Sequence, residues 1–145
     1  EYPQQLAIFL TFNTPLARRI YAGSDMFLMP SRFEPCGTSQ LIAMHYGSVP
    51  IVRATGGLAD TVQDHDPKTE NGTGFVFQGY DRWQLFAAVV RATEVFKHPA
   101  LWRQIQLRGM RADFSWERSA IKYVDLYRRA VASRIHRPDM DAYKV

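Results

Sequence analysis

A single cysteine, Cys36, occurs in the 145 residues. No disulfide can close within the chain, which fits a reducing compartment or one indifferent to disulfides. No apolar stretch approaches the roughly 18 residues needed to span a bilayer, and no signal-like segment opens the chain, so no membrane partner is expected. The four histidines, His45, His65, His98 and His136, are scattered without the spacing of metal ligands, and no metal is expected. Neither a G-x-G-x-x-G after the first apolar run nor a G-x-x-x-x-G-K-[ST] is present, so the dinucleotide and P-loop readings lack their fingerprints. No Ser-His-Asp arrangement can be identified from chain order. Internal repeats and low-complexity tracts are also lacking.

Acidic residues are outnumbered, 14 against 18 Lys and Arg, for a net charge of +4. A nucleic-acid footprint would need that charge concentrated beside a reading motif. Here Arg103, Arg108, Arg111 and Arg118 fall in helical surface patterns, so no nucleic-acid partner is expected. A solvated basic surface and attraction for a small phosphorylated ligand or polyanion both remain open. With 46% hydrophobic and 22% charged residues, the chain has the composition of an ordinary globular domain. Its length allows one core rather than two. Glu1 to Gln5 lead into a strand pattern without an initial Met, the look of a fragment.

Alternation of apolar runs and amphipathic stretches sets the architecture. "LAIFLTF" (Leu6–Phe12) is near-continuously apolar, the pattern of a strand buried on both faces of a parallel sheet. A short helix follows, with Thr14 as N-cap, Pro15 at its first position and Gly23 at its end. "MFLM" (Met26–Met29), "VPIV" (Val49–Val52) and "FVF" (Phe75–Phe77) are three more strands. A helix with Leu41, Met44 and His45 at helical spacing separates the first two of these, and a glycine-led turn, "ATGGLADTVQD", follows the second. From Asp81 the pattern is helical throughout: one helix capped by Asp81, one starting at Pro99 and one capped by Ser115. Strands alternating with helices on short links predict a parallel α/β sheet with right-handed crossovers. Four strands followed by helices look like half of a doubly wound domain.

"SRFEPCGTSQL" (Ser31–Leu41) lies between a buried strand and a helix start, where ligands bind in such sheets. Gly37, Thr38 and Ser39 open the helix, and unpaired N–H groups there favour an anion. Gly37 permits close backbone approach. A carboxylate at Glu34 would repel phosphate but suits a polyhydroxylated group carried by it, such as a sugar. The plainer alternative is that Glu34 and Ser39 only cap the helix. "TGGL" (Thr55–Leu58) repeats the glycine-led helix start after the next strand, as a second lining element or simply as a turn.

The run "SDMFLMPSRFEPCGTSQLIAMHYGSVPIVRATGGLADTVQD", with "FLTFNTPLARRIYAGSD" before it and "GTGFVF" and "DFSWERSAIKYVDLYRRA" after it, closely resembles the C-terminal lobe of bacterial glycogen synthases and plant starch synthases. These are retaining, ADP-glucose-dependent glucosyltransferases of GT-B fold. The resemblance implies a partial Rossmann-like parallel sheet, the C-terminal half-domain of a GT-B fold, followed by a helical tail. The lobe would span residues 1–135, truncated at its N-terminal side, with a loose tail at 136–145.

By the same resemblance Glu34 is the carboxylate that contacts the donor glucose and is needed for transfer. Cys36 is the active-site cysteine of that loop. Gly37, Thr38 and Ser39 present backbone amides and a hydroxyl to the glucose and distal phosphate, Phe12 stacks on adenine, and Thr55, Gly56 and Gly57 line the cleft. Thr38 stands where the family usually has Leu, and Phe12 where bacterial members usually have Tyr. Related families carry a second Glu eight residues after the first, where this chain has Ile42.

The implied activity is elongation of an α-1,4-glucan from ADP-glucose with retention of configuration. It needs no cofactor beyond the donor and no metal. The family's phosphate-binding Arg and Lys and its acceptor-binding N-terminal domain lie upstream, so the isolated chain is expected to be inactive. Two alternatives are another GT-B transferase using a UDP- or GDP-sugar, and a non-catalytic nucleotide- or glucan-binding module. The expected location is cytoplasmic in a bacterium or the stroma of a plastid. The apolar face of the last helix, left without the upstream domain, is expected either to leave the helix highly mobile beyond about Tyr127 or to join two fragments in a dimer.

Overall fold

A computed structural model describes residues 4–135; the tail expected at 136–145 lies outside them. One compact unit runs to Arg111 and a second starts at Ala112. In the first, the elements follow as α1 (Thr14–Gly23), β1 (Met26–Met29), α2 (Ser39–His45), β2 (Val49–Arg53), α3 (Gly57–Thr61), β3 (Phe75–Phe77), α4 (Arg82–Phe96) and α5 (Pro99–Arg111). The strands form one parallel sheet in the order β1-β2-β3, with Met26 opposite Val49 and Ile51 opposite Phe75. The fold is α/β, with the parallel sheet and intervening helices that the apolar runs predict.

Strand alternation divides the core in two. Val49, Ile51, Phe75 and Phe77 face Ala88 and Ala92 of α4 and Trp102 and Ile105 of α5. Val52 points the other way, toward Met44 of α2, Leu58 of α3 and Val62. Covered on both sides, β2 is buried from Val49 to Val52, and only its last residue, Arg53, reaches partial exposure. That apolar strand is the central plank of the unit and ends in a charge.

Two expectations are corrected. Residues 6–12 form no strand: the backbone there is irregular, and Leu10 and Phe12 are each 97% exposed. A two-face-buried strand requires a neighbouring ladder and a covering layer, and none of the three strands pairs with this run. Its apolar residues therefore have nothing to be buried against, and the sheet has three strands rather than four among the described residues. The cap of α1 is Asn13, not Thr14; the Asn13 side chain accepts the Leu16 N–H at 3.0 Å. Both residue types cap well, and Pro15 is tolerated anywhere in a first turn because those N–H groups are unpaired within the helix.

The cap at Asp81 is as read: its carboxylate accepts from Trp83 N–H at 2.9 Å and Gln84 N–H at 3.2 Å. The β2–β3 connection is tied at several points. His65 is buried with its Nδ1 3.0 Å from the Asn71 carbonyl, and Arg91 forms an ion pair with Asp64 at 3.0 Å. Within that connection Asp66 accepts from Lys68 N–H and Thr69 Oγ1, and these bonds hold its carboxyl below the usual carboxylate range.

The second unit carries α6 (Trp116–Ile135). Its start is held by Asp113, which accepts the Ser115 N–H at 2.9 Å, and by Ser115 Oγ, which is 3.5 Å from the Arg118 N–H. Ile121, Val124, Tyr127 and Val131 along the helix are all exposed. No helix among the described residues is long and apolar enough to cross a membrane.

Candidate functional site

Because the strands are parallel, the loop after β1 and the turn after β2 leave the sheet at the same edge. The structure packs these two segments against each other by their backbones. The Gly57 N–H donates to the Glu34 carbonyl at 3.3 Å. A Cβ on Gly56 would lie 1.9 Å from the Glu34 carbonyl oxygen, and one on Gly57 would lie 1.8 Å from that of Cys36. Gly56 also has φ of +44°, a region that disfavours side chains. The two glycines are thus required by contact with the loop, and Glu34, Cys36, Gly56 and Gly57 come together.

The loop is held at its entrance by Arg53, the charge that ends β2. Its Nη1 donates to the Arg32 carbonyl at 2.7 Å and lies 3.5 Å from that of Ser31. The guanidiniums of Arg53 and Arg32 lie 5.6 and 6.0 Å from the ring centre of Tyr80, which follows β3 at the same edge. At its exit the loop turns through Gly37, with φ of +70°, into α2. Gln40, fully buried in the first turn of α2, donates from Nε2 to the Gly37 carbonyl at 2.9 Å and to Thr61 Oγ1 at 3.1 Å.

With the backbone so pinned, the side chains are left free. Thr38 is the N-cap of α2 and makes no side-chain cap hydrogen bond. Neither Glu34 nor Ser39 supplies one, so the reading of these two residues as mere helix caps is not what is observed. Glu34 is half-buried; its backbone carbonyl is engaged, and no bond or ion pair to its carboxylate occurs among the described residues. Nor do the N–H groups of Gly37, Thr38 and Ser39 meet an acceptor among them. Cys36 is an exposed free thiol. Thr55 sits in the turn before the glycines, its N–H on the Arg53 carbonyl at 2.9 Å. Phe12 is the outlier: it lies in the exposed segment before α1, without a ring contact among the described residues.

Sequence reasoning missed Gln40, Arg53 and Tyr80. The signal for Gln40 was present: with Ala43 and Met44 three and four residues on, it occupies the inward face of α2, and a polar residue on an apolar stripe needs a buried partner. Arg53 offered a weaker one, a charge closing a strand otherwise fully apolar. Tyr80 gave none.

An unpaired carboxylate beside unpaired amide donors suits a ligand that carries both hydroxyl groups and an anion. The carboxylate accepts from hydroxyls or answers developing positive charge, while the amides donate to the negative end. Described residues include no group of three or more His, Cys, Asp or Glu placed to hold a metal ion.

The chain is similar in sequence to known proteins along most of its length. The chain is 55% identical over 132 residues to a glycogen synthase of Gloeobacter violaceus, covering 91% of this chain and 29% of the relative. It is 51% identical over its whole length to glycogen synthase 1 of Synechocystis, covering 30% of that protein. Among solved structures, the catalytic domain of starch synthase IV from Arabidopsis thaliana, bound to ADP and acarbose, superposes with a TM-score of 0.74 at 43% identity over 86% of this chain and 26% of that one. The chain therefore spans under a third of the length of these relatives. Residues 3–97, which hold the sheet, the Glu34 loop and the glycine turn, match the model of glycosyl transferases group 1, and the chain belongs to that family.

Proposed function

We propose that this chain is the nucleotide-sugar-binding part of an ADP-glucose:1,4-α-glucan glucosyltransferase, a glycogen or starch synthase that extends its glucan with retention of configuration. The observation that carries this reading is the free carboxylate of Glu34 on a loop whose backbone is pinned at both ends. A carboxylate placed before reaction costs no reorganisation when positive charge develops at the anomeric carbon of the donor. The N–H groups of Gly37, Thr38 and Ser39 would receive the distal phosphate and the glucose. Thr38 serves there as well as the family's usual Leu, because only its backbone is used. Phe12, exposed ahead of α1, is the ring offered to adenine; Thr55 and the two glycines would form the neighbouring wall. No metal ion is called for, since the remaining diphosphate charge would fall to basic residues of the rest of the synthase.

Because the chain spans about 29% of a relative, the acceptor side of the cleft is assigned to the remainder. The purified 145-residue chain is expected to transfer no glucose to maltooligosaccharide. A full-length synthase carrying this segment is expected to elongate it from ADP-glucose, in preference to UDP- or GDP-glucose. Radiolabelled-glucose incorporation measures both. Elongation by the isolated chain would overturn the division of labour, and preference for another nucleotide would overturn the donor assignment.

Cys36 lies two residues past Glu34 in the same loop and is exposed, yet retaining transfer requires no thiol there. In the full-length synthase Cys36→Ser is expected to keep most activity. Alkylation of the wild-type thiol is expected to block transfer, and saturating ADP-glucose to slow the alkylation. An unchanged alkylation rate with donor present would remove Cys36 from the site.

A further inference from the structure

We propose that Gln40 is a positioning residue that sets the path of the Glu34 loop. Long polar side chains are rarely fully buried, and a buried amide is costly unless its hydrogens are used. Gln40 is 0% exposed, and its Nε2 lies 2.9 Å from the Gly37 carbonyl, 3.1 Å from Thr61 Oγ1 and 3.4 Å from the Cys36 carbonyl. Two hydrogens therefore serve three oxygens, and the Gly37 and Cys36 carbonyls have no other donor among the described residues. Gly37 is shaped to the same end: a Cβ there would lie 2.6 Å from Gln40 Oε1, so the carboxamide rests flush on the turn.

The bonds continue beyond the loop. Thr61 Oγ1 donates to the Gly57 carbonyl at 2.5 Å, and the Gly57 N–H donates to the Glu34 carbonyl at 3.3 Å. One chain of hydrogen bonds thus runs from Gly37 through Gln40, Thr61 and Gly57 back to Glu34. It encloses the turn that carries Glu34 and Cys36 and fastens it to α3. Gln40 acts on the site through the backbone and touches no ligand. That its target loop is a donor site rests on the function proposed above; the hydrogen-bond path does not.

Cys36 is the chain's only cysteine, so its alkylation by iodoacetamide, followed by intact-mass spectrometry on the folded 145-residue chain, reports this turn alone. Gln40→Leu keeps the bulk and removes the donor; Gln40→Glu keeps the outline and sets a carboxylate against two carbonyls. Both are expected to speed alkylation at least fivefold as the turn is released, and Thr61→Val about twofold. Val52→Ala, a core change on the same side of the sheet, lowers stability without touching the path and is expected to leave the rate within twofold. A Gln40→Leu rate equal to that of Val52→Ala would overturn the proposal. Should the Gln40 variants not fold, an unchanged rate in Thr61→Val would overturn it equally. Failure of ADP-glucose to protect Cys36 in the full-length synthase would count against the donor-site reading and leave this comparison standing.

Discussion

Glu34→Ala in a full-length synthase carrying this segment is expected to lower kcat on the order of 10²–10³-fold while changing donor affinity little. The expectation follows from where the charge is and what it lacks. Its carbonyl is tied to Gly57 and its loop to Arg53 and Gln40, so truncating the side chain removes no contact that holds the fold. If Glu34 faces the donor as proposed, an unpartnered carboxylate has more to gain when the anomeric carbon turns positive than in the ground state, so its contribution is expected in the transition state. Glu34→Gln, which keeps the shape and loses the charge, is expected to fall nearly as far. Steady-state kinetics with varied ADP-glucose separates kcat from KM, and thermal melting should find both variants within about 0.5 kcal/mol of wild type. Near-normal kcat in Glu34→Ala would make the residue a bystander.

Gly56→Ala is expected to disrupt the chain itself. The new Cβ would lie 1.9 Å from the Glu34 carbonyl oxygen at a backbone φ of +44°, so one part must move. Backbone strain of ~1–3 kcal/mol and overpacking of similar size add to about 2–6 kcal/mol, a large share of the roughly 5–15 kcal/mol by which domains are stable. Gly57→Ala, 1.8 Å from the Cys36 carbonyl, is expected to behave alike. The contrast is Gly23, where a Cβ would meet nothing within 4 Å; Gly23→Ala should change stability by no more than about 1 kcal/mol. Circular-dichroism melts decide the matter. A Gly56→Ala chain melting with wild type would show that the close approach is not maintained in solution.

Much of this was legible in the residues. The bounds of β1 and β3 are those of the "MFLM" and "FVF" runs, because short apolar runs bounded by Asp25 and Pro30, and by Gly74 and Gln78, leave little room for a different strand. "LAIFLTF" shows the limit of the same rule. An apolar run states what a segment would bury, whereas a strand also needs a partner edge, which is a property of the assembled sheet. The candidate site divides along similar lines. Glu34, Cys36 and both glycines are brought together as their motifs predict, since the motifs sit at the ends of consecutive parallel strands. The glycines have a further task that the motif does not state: they admit the neighbouring loop's carbonyls. Arg53 was only weakly signalled and Tyr80 not at all, because their roles join residues more than twenty positions apart.

Those carbonyl contacts bear on how such a loop can be altered or transplanted. The Glu34 loop and the glycine turn meet through main-chain atoms at Gly56 and Gly57 and through the single side-chain link from Gln40 to Thr61. Side chains at Phe33 and Thr38, both exposed, can be redesigned without disturbing the join. An engineer moving this loop into another scaffold faces the opposite constraint. Grafting residues 31–41 alone would leave their mould behind; residues 53–61, which include the Arg53 that holds the loop entrance, must travel with them as one discontinuous module.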